Sequence, residues 1–126
     1  MLEQVTKAPL TIYEEHLAKG ELAYQHSLAA DRPFFFPRVV CPYSGTDRYE
    51  WRVSGGLGTI YSRTRLYPRD AESYAVVLVD LDEGFRMMSR VVDAPADAVE
   101  IGARVRLAVR PGEQGEPAPF FVLEAA

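Results

Sequence analysis

The fold of this chain is decided by the stretch Trp51-Arg52-Val53-Ser54-Gly55-Gly56-Leu57-Gly58-Thr59-Ile60-Tyr61-Ser62. Its glycines exclude a stable helix here, because each loses more backbone entropy on folding than alanine would. The β-branched and aromatic residues at its end favour a strand. The stretch therefore predicts a flexible or bulged lead-in to a long first strand.

The residues after the glycines predict five strands separated by turns. These strands are Gly58–Leu66, Ser73–Leu81, Phe85–Val92, Arg104–Arg110 and Phe120–Leu123. Asp82-Glu83-Gly84 predicts a hairpin turn in which glycine takes a positive φ. Five strands with this spacing favour a mainly β protein built on an OB-fold barrel, and a five-stranded part of a β-sandwich is the alternative.

The residues before the glycines predict a short helix followed by an irregular segment. Thr11-Ile12-Tyr13-Glu14 matches a capping box, and the helix should then run to about Lys19 and end at Gly20. Glu21–Ser27 predicts a short strand, and Ala29–Pro33 predicts a turn. We therefore expect an N-terminal region at 1–46 and the barrel at 47–126.

Composition and charge restrict the possible function classes. The single cysteine excludes an internal disulfide and fits a reducing cytoplasm. No leader pattern opens the chain, and the apolar runs are too short for a bilayer, so we expect a cytoplasmic protein without membrane contact. The net charge of −4 argues against nonspecific nucleic-acid binding. All twelve arginines lie between residues 32 and 110, where they could bind phosphate groups.

The sequence offers no residue pattern that supports catalysis. The histidines, His16 and His26, lie in no Ser-His-Asp arrangement. Cys41 stands alone beside a proline, and an inert buried thiol is the simpler interpretation. The glycines of 55–58 lack the Lys-Ser/Thr of a P-loop and the helix that a dinucleotide site requires. We therefore predict no catalytic residues.

The most unusual local composition is Phe34-Phe35-Phe36, bracketed by Pro33 and Pro37. If the segment is extended, Phe35 faces the side opposite to Phe34 and Phe36. Two interpretations stay open: packing between the N-terminal region and the barrel, or an aromatic surface that awaits a partner. We take the three phenylalanines as the candidate partner contact.

Several short motifs, taken in order, resemble those of a known family. They are Ala18-Lys19-Gly20-Glu21-Leu22, Pro37-Arg38 before Cys41-Pro42, Trp51 before Ser54-Gly55, Gly58-Thr59-Ile60-Tyr61-Ser62, Leu81-Asp82-Glu83-Gly84-Phe85-Arg86-Met87-Met88-Ser89, and Glu100-Ile101-Gly102 before Val105. Over roughly Ile12 to Leu123 the chain resembles small proteins that join a rubredoxin-like zinc ribbon to an acyl-CoA-associated OB-fold. That family has long been called a domain of unknown function.

The resemblance implies a degenerate ribbon in the N-terminal region. In the family, two Cys-x-x-Cys knuckles hold a zinc ion before the barrel. By position this chain offers His26 and Ala29 for the first knuckle, and Cys41 and Ser44 for the second. Structural zinc needs four nitrogen or sulfur ligands, and at most two remain. We therefore expect no metal, and purified protein with well under one zinc per chain.

The resemblance also implies that the protein assists a partner enzyme and does not itself catalyse a reaction. Similar proteins associate with thiolases, hydroxymethylglutaryl-CoA synthases, aldolases and MaoC-like hydratases, and some help form the coenzyme A channel. The expected function is a noncatalytic accessory or scaffold subunit of such an enzyme, with a coenzyme A ester as the ligand. The candidate residues for its phosphates are Arg38, Arg63, Arg86 and Arg106. A solvated barrel face is the alternative for each of these arginines.

The alternative function is a single-stranded nucleic-acid-binding OB-fold protein. Such folds stack bases on aromatic side chains along a basic groove. Trp51, Tyr61 and Phe85 are the candidate platforms. The acidic net charge and the lack of lysine in the barrel oppose this function.

Overall fold

The structure, a computed structural model, describes residues 8–124. Its elements run, in chain order, α1 (Pro9–Ala18), β1 (Ala23–Ser27), β2 (Arg32–Phe34), β3 (Tyr49–Val53), β4 (Leu57–Leu66), β5 (Tyr74–Leu81), β6 (Arg86–Arg90), a 3₁₀ turn (Ala96–Ala98), β7 (Arg104–Pro111) and β8 (Pro117–Leu123). No helix within the described residues is long and apolar enough to cross a membrane.

Helix α1 begins earlier than the capping box predicted. Pro9 occupies its first turn, and Ala8 is the N-cap without a side-chain cap bond. The capping box is therefore wrong, because proline fixes a helical φ upstream of Thr11 and places that threonine inside the helix. The predicted stop at Gly20 is confirmed: its φ is +82°, and the N–H groups of Gly20 and Glu21 donate to the carbonyls of Leu17 and His16.

The five predicted barrel strands are confirmed as β4 to β8. They form one antiparallel sheet in the order β6-β5-β4-β7-β8. Its two edges meet where Val91 forms a parallel bridge with Phe121, and the Val92 N–H donates to the Phe121 carbonyl at 2.8 Å. The sheet is therefore a nearly closed OB-fold barrel rather than part of a β-sandwich.

Glycines are required where β4 enters the barrel. A Cβ on Gly58 would lie 2.7 Å from both the Asp80 carbonyl oxygen and Val79 Cγ1 on β5. Gly56 has a φ of +80°, and a Cβ there would lie 3.0 Å from Leu107 Cβ. The predicted bulge is present, but it lies beyond the glycines, between Ile60 and Ser62. The lead-in is thus a close approach between strands followed by a bulge.

A second, three-stranded sheet has the order β2-β1-β3. Strand β2 begins at Arg32, within the segment predicted as a turn. Strand β3 pairs along β1 from Val53 opposite Ala23 to Tyr49 opposite Ser27. Residues 49–53 fall within the barrel region expected from the sequence, but their strand pairs with the small sheet. The reason is that alternation identifies a strand but not the sheet it joins.

Both sheets and α1 contribute to one hydrophobic core. Tyr13 and Leu17 of α1, with Tyr24 of β1, pack in the same cluster as the barrel residues. The Tyr24 ring stacks on Phe85, which follows the β5–β6 turn, with ring centroids 4.7 Å apart. At the centre of the barrel Phe121 is fully buried. The N-terminal region is therefore packed as an integral part of the fold.

The two sheets are joined at the glycine segment by the carboxylate of Glu83. The Ser54 hydroxyl donates to Glu83 Oε1 at 2.7 Å, and the Gly55 N–H donates to Oε2 at 2.8 Å. Ser54 Oγ also accepts from the Gly56 N–H at 2.9 Å, and Ser54 is buried. A residue that the sequence suggested only as a turn former thus fastens the chain between β3 and β4.

Glu83→Ala should destabilise the protein by about 2 kcal/mol, because two hydrogen bonds to a charged group are lost and the buried Ser54 hydroxyl loses its acceptor. Glu113→Ala, in the exposed loop between β7 and β8, is the matched control and should change stability by less than about 0.5 kcal/mol. Urea unfolding followed by circular dichroism measures both. Equal midpoints for the two variants would contradict the role of Glu83.

Candidate functional site

Aromatic rings line the seam where the small sheet, α1 and the barrel meet. The Phe35 ring stacks on Phe85 with centroids 5.2 Å apart, and meets the Tyr13 and Phe36 rings edge to face at 5.7 and 5.6 Å. Phe36 also meets Tyr13 edge to face at 5.8 Å. Such pairs add packing energy beyond the area they bury. The seam is therefore a fixed aromatic surface rather than a loose loop.

The three phenylalanines have three different environments. Phe34 is 2% exposed and packs edge to face on Tyr49 inside the small sheet. Phe35 is half-buried in the seam, and Phe36 is 52% exposed. The expectation that Phe34 and Phe36 share a side is wrong, because β2 ends at Phe34 and strict alternation ends with it. Phe36 is the member whose surface faces outward.

Phe36 stands at one wall of an apolar groove of about 510 Å³. Two other exposed apolar side chains line it, Leu10 of α1 and Met88 of β6. Its opposite wall is the start of β8, residues 117–119. A second hollow, of about 520 Å³, lies on the other side of Phe35 beside Tyr43 and Phe85. Apolar side chains exposed together in one groove are typical of an interaction site.

The groove exists because the barrel closes at only one end of β6 and β8. Beyond the Val91–Phe121 bridge, the Ser89 hydroxyl donates to the Pro119 carbonyl at 2.9 Å. The Glu116 carbonyl accepts from the N–H of Gly112, just after β7. By alternation, Pro117 and Pro119 turn toward the opening, where proline has no N–H to donate. This edge of β8 therefore cannot complete the sheet, and side chains fill the opening instead.

Of the four candidate arginines, Arg86 lies at the seam and lines both hollows. Its Nε donates to Asp80 Oδ1 at 2.5 Å and its Nη2 to Oδ2 at 3.1 Å. Its guanidinium also lies over the Tyr61 ring, 3.5 Å from the centroid. These contacts hold the cation in one position at the rim.

The other three arginines are not brought together with Arg86. Arg63 is in register with the buried Val77, so it lies on the opposite face of the sheet from Arg86. Arg106 is on β7, opposite Leu57. Arg38 lies in the loop after β2, where its backbone bonds the Gln25 side chain. The structure therefore does not bring the four candidate arginines together in one place.

The three aromatic residues on which nucleic-acid bases could stack, Trp51, Tyr61 and Phe85, do not lie together. Phe85 is 5% exposed and lies between the rings of Tyr24 and Phe35, so it cannot stack on a base. Trp51 belongs to the small sheet, and Arg86 lies over the ring of Tyr61, which is 52% exposed on the barrel. The geometry gives no shared face to the three candidate aromatic residues.

The loop that begins at Cys41 corresponds in position to the second Cys-x-x-Cys knuckle of the family that the chain resembles. The Tyr43 N–H donates to Cys41 Sγ at 3.3 Å, and the side chains of Ser27 and Ser44 lower the pKa of this thiol. Ser27 is thus the β1 residue whose side chain acts on Cys41. His26 instead lies 3.1 Å from an Asp31 carboxylate oxygen.

This donor set does not fit a structural zinc ion. One thiol and two hydroxyls surround the position, whereas tetrahedral zinc is held by four nitrogen or sulfur ligands. Among residues 8–124, no group of three or more His, Cys, Asp or Glu side chains could hold a metal.

The Cys41 thiol should make stability depend on pH. Burial raises its pKa, but hydrogen bonds from Ser27, Ser44 and backbone N–H groups outweigh burial and lower the pKa from 9.0 to about 7. A depressed folded-state pKa contributes stability that is complete above pH 9 and lost as the pH falls through 7. The free energy of unfolding of wild type, relative to Cys41→Ser, should therefore rise between these two pH values. Urea unfolding of both proteins across the range measures it, and parallel profiles would contradict it.

Sequence reasoning missed the residues that build the groove, above all Leu10, Met88, Pro117 and Pro119. Two signals were present. Met87 and Met88 are adjacent on a strand, so one of them must face away from the core. The two prolines of β8 alternate, which marks an edge whose N–H groups are not needed.

Comparison with known proteins agrees with this architecture. A family model described as the C-terminal OB-fold domain of ChsH2 matches residues 51–110. A DUF35 domain-containing scaffold protein of Methanothermobacter thermautotrophicus is 34% identical over 90 residues, which cover 65% of this chain and 68% of that protein. This chain belongs to the DUF35 family. A second DUF35 domain-containing scaffold protein, of Methanocaldococcus jannaschii, is 32% identical over 83 residues, and the match covers 60% of this chain and 59% of that protein.

Solved structures of DUF35 proteins are similar to this chain over most of its length. A chain of the Ltp2-ChsH2(DUF35) aldolase is 25% identical, with a TM-score of 0.79, and the match covers 93% of this chain and 95% of that one. A DUF35 protein of unknown function from Sulfolobus solfataricus shares the fold at 13% identity, with a TM-score of 0.67 and coverage of 90% and 83%. The predicted OB-fold is confirmed, and of the predicted family these matches support the OB-fold of DUF35 proteins.

Proposed function

We propose that this chain is a noncatalytic scaffold subunit that joins an acyl-CoA-processing enzyme, such as a thiolase or a MaoC-like hydratase, in the cytoplasm. Two relatives are named scaffold proteins, and a similar chain comes from a structure named for an aldolase with Ltp2 and ChsH2. The observation that carries the proposal is the open apolar groove beside Phe36 and Met88.

The groove has the properties of a docking site for a folded partner. Leu10, Phe36 and Met88 are 45%, 52% and 68% exposed, and together they leave apolar surface that a partner could cover. Phe36 is supported by the Tyr13 and Phe35 rings, so its position costs little further ordering on binding. Aromatic anchors of this kind commonly dominate the binding energy of an interface.

A coenzyme A ester is the proposed ligand of the assembled complex, with Arg86 as its phosphate contact. Arg86 is the candidate arginine that lines the groove, and Asp80 and Tyr61 hold it at the rim. A guanidinium fixed in this way can contact an oxyanion without first being ordered. Arg38, Arg63 and Arg106 lie elsewhere and are not part of this proposed contact.

Phe36→Ala and Met88→Ala should each weaken the complex at least about tenfold while leaving the fold unchanged. The measurement is calorimetric titration with a candidate thiolase or MaoC-like hydratase from the same organism, with circular dichroism as the check on folding. Ile101→Ala is the matched control, because Ile101 is 63% exposed and lies outside the groove. If both groove variants bind as wild type does, the groove is not the docking site.

A further inference from the structure

Strand β3 is an open edge of the small sheet. The sheet order is β2-β1-β3, and in the part of the chain that the structure describes no other strand pairs with the outer side of β3. Its five residues are half-buried or exposed, and Val53 is 50% exposed. An exposed edge strand is a template for pairing with another chain unless the protein blocks it.

The register with β1 determines which backbone groups face this open side. The Ser54 N–H donates to the Leu22 carbonyl, and the Leu28 N–H donates to the Arg48 carbonyl. Even-numbered residues around β3 therefore bond β1, and by alternation the N–H and C=O groups of Trp51 and Val53 point outward. They are available to a second strand.

The side chains of β3 do not block its edge against a copy of itself. Like charges commonly guard such edges, because they repel each other when two identical strands approach. Here Glu50 and Arg52 alternate in sign on one face, and Arg52 Nε already lies 2.6 Å from Glu50 Oε2. Both side chains are nearly half exposed, so they can reach a neighbouring strand.

Charge also selects one register for such a pair. In an antiparallel pair of identical strands, residues with outward backbone groups must face each other. If Trp51 faces Trp51 of the second copy, Glu50 faces Arg52 on both sides of the axis. The next allowed register in either direction is two residues away. It places Glu50 opposite Glu50, or Arg52 opposite Arg52, and it shortens the five-residue overlap. Unlike charges opposite each other stabilise a pair of strands, and like charges destabilise it.

We propose that two copies of this chain associate through β3, antiparallel about Trp51, and so form a continuous six-stranded sheet. In this register the Glu50–Arg52 pairs are the non-hydrogen-bonded kind, in which side chains approach most closely. One short strand per copy buries less area than a permanent dimer needs, so the association is weak and depends on concentration. The surface is separate from the groove of the proposed function.

Sedimentation velocity between about 10 μM and about 1 mM tests the proposal, because weak dimers dissociate in this range. The wild-type protein should show a monomer–dimer equilibrium. Glu50→Lys and Arg52→Glu should each weaken it at least about tenfold, since two attractive cross-strand pairs become repulsive. An equimolar mixture of the two variants should associate again, because each then opposes unlike charges. The fluorescence of Trp51, the single tryptophan, reports the same equilibrium independently.

Two variants with the same charge changes serve as controls, Asp70→Lys and Arg69→Glu in the exposed loop before β5. They should associate as wild type does. The proposal is overturned if the wild-type protein stays monomeric throughout, if the controls lose association equally, or if mixing the two β3 variants restores nothing. Restoration by mixing cannot come from misfolded protein, which makes the result independent of variant stability.

Discussion

Phe34→Ala should lower the free energy of unfolding by about 3–5 kcal/mol. Phe34 is 2% exposed, and its ring packs edge to face on Tyr49 at 5.8 Å between the outer strands of the small sheet. Truncation removes apolar burial and leaves a cavity that a three-stranded sheet cannot close by collapse. Since small domains are stable by only about 5–15 kcal/mol, urea unfolding should show a large shift of midpoint.

Phe36→Ala is the internal control for this result. It removes the same side chain from a position that is 52% exposed, so stability should change by less than about 1 kcal/mol. The two variants separate the roles of adjacent phenylalanines: the first supports the fold, and the second is proposed to bind the partner. Equal stability losses at both positions would show that the different burial of the two side chains does not determine their roles.

Gly58→Ala should destabilise the barrel by about 1–3 kcal/mol. The new Cβ would lie 2.7 Å from the Asp80 carbonyl oxygen and from Val79 Cγ1. Val79 is fully buried, and the carbonyl belongs to the paired strand β5, so neither group can move without disturbing the sheet. For a domain of this size, thermal unfolding should shift by about 4 °C or more for each kcal/mol.

Gly55→Ala is the matched substitution for comparison. A Cβ at Gly55 would meet only Glu83 Oε2, at 3.7 Å, and the residue does not have a positive φ. The variant should therefore unfold within about 2 °C of wild type, or slightly above it, because alanine reduces the entropy of the unfolded chain. A comparable loss at both glycines would mean that chain flexibility, not close approach of β4 and β5, explains the glycine-rich stretch.

The barrel could be predicted because its determinants are local. Alternating apolar residues identify β7, turns separate the other strands, and Gly84, whose φ is +105°, marks the β5–β6 turn as expected. The order of strands and the membership of β3 in the second sheet depend on contacts between distant residues. Alternation in Tyr49-Glu50-Trp51-Arg52-Val53 is compatible with either sheet, so no local pattern could decide it.

The candidate site was predicted less well because side-chain direction depends on single-residue shifts. The bulge between Ile60 and Ser62 places Arg63 on the face of Val77, whereas uninterrupted pairing would place it on the other face, with Arg86. The same sensitivity applies to β1, where neighbouring side chains face opposite sides of the sheet. Ser27, and not the adjacent His26, therefore acts on Cys41. The amino-acid sequence alone carries no signal for the bulge in β4 or for the register of β1.

The closure of the barrel at Phe121 has a consequence for how the chain acquires its structure during synthesis. Strand β8 supplies Phe121 to the centre of the core, bridges to Val91, and provides the wall beside α1. Helix α1 leaves the ribosome before the barrel strands and therefore has no complete surface to pack on until β8 has emerged. Such dependence on contacts between distant segments slows folding and leaves apolar surface unprotected in the nascent chain. A ribosome that stalls before β8 would release a polypeptide that contains β1 to β7 but cannot complete its core.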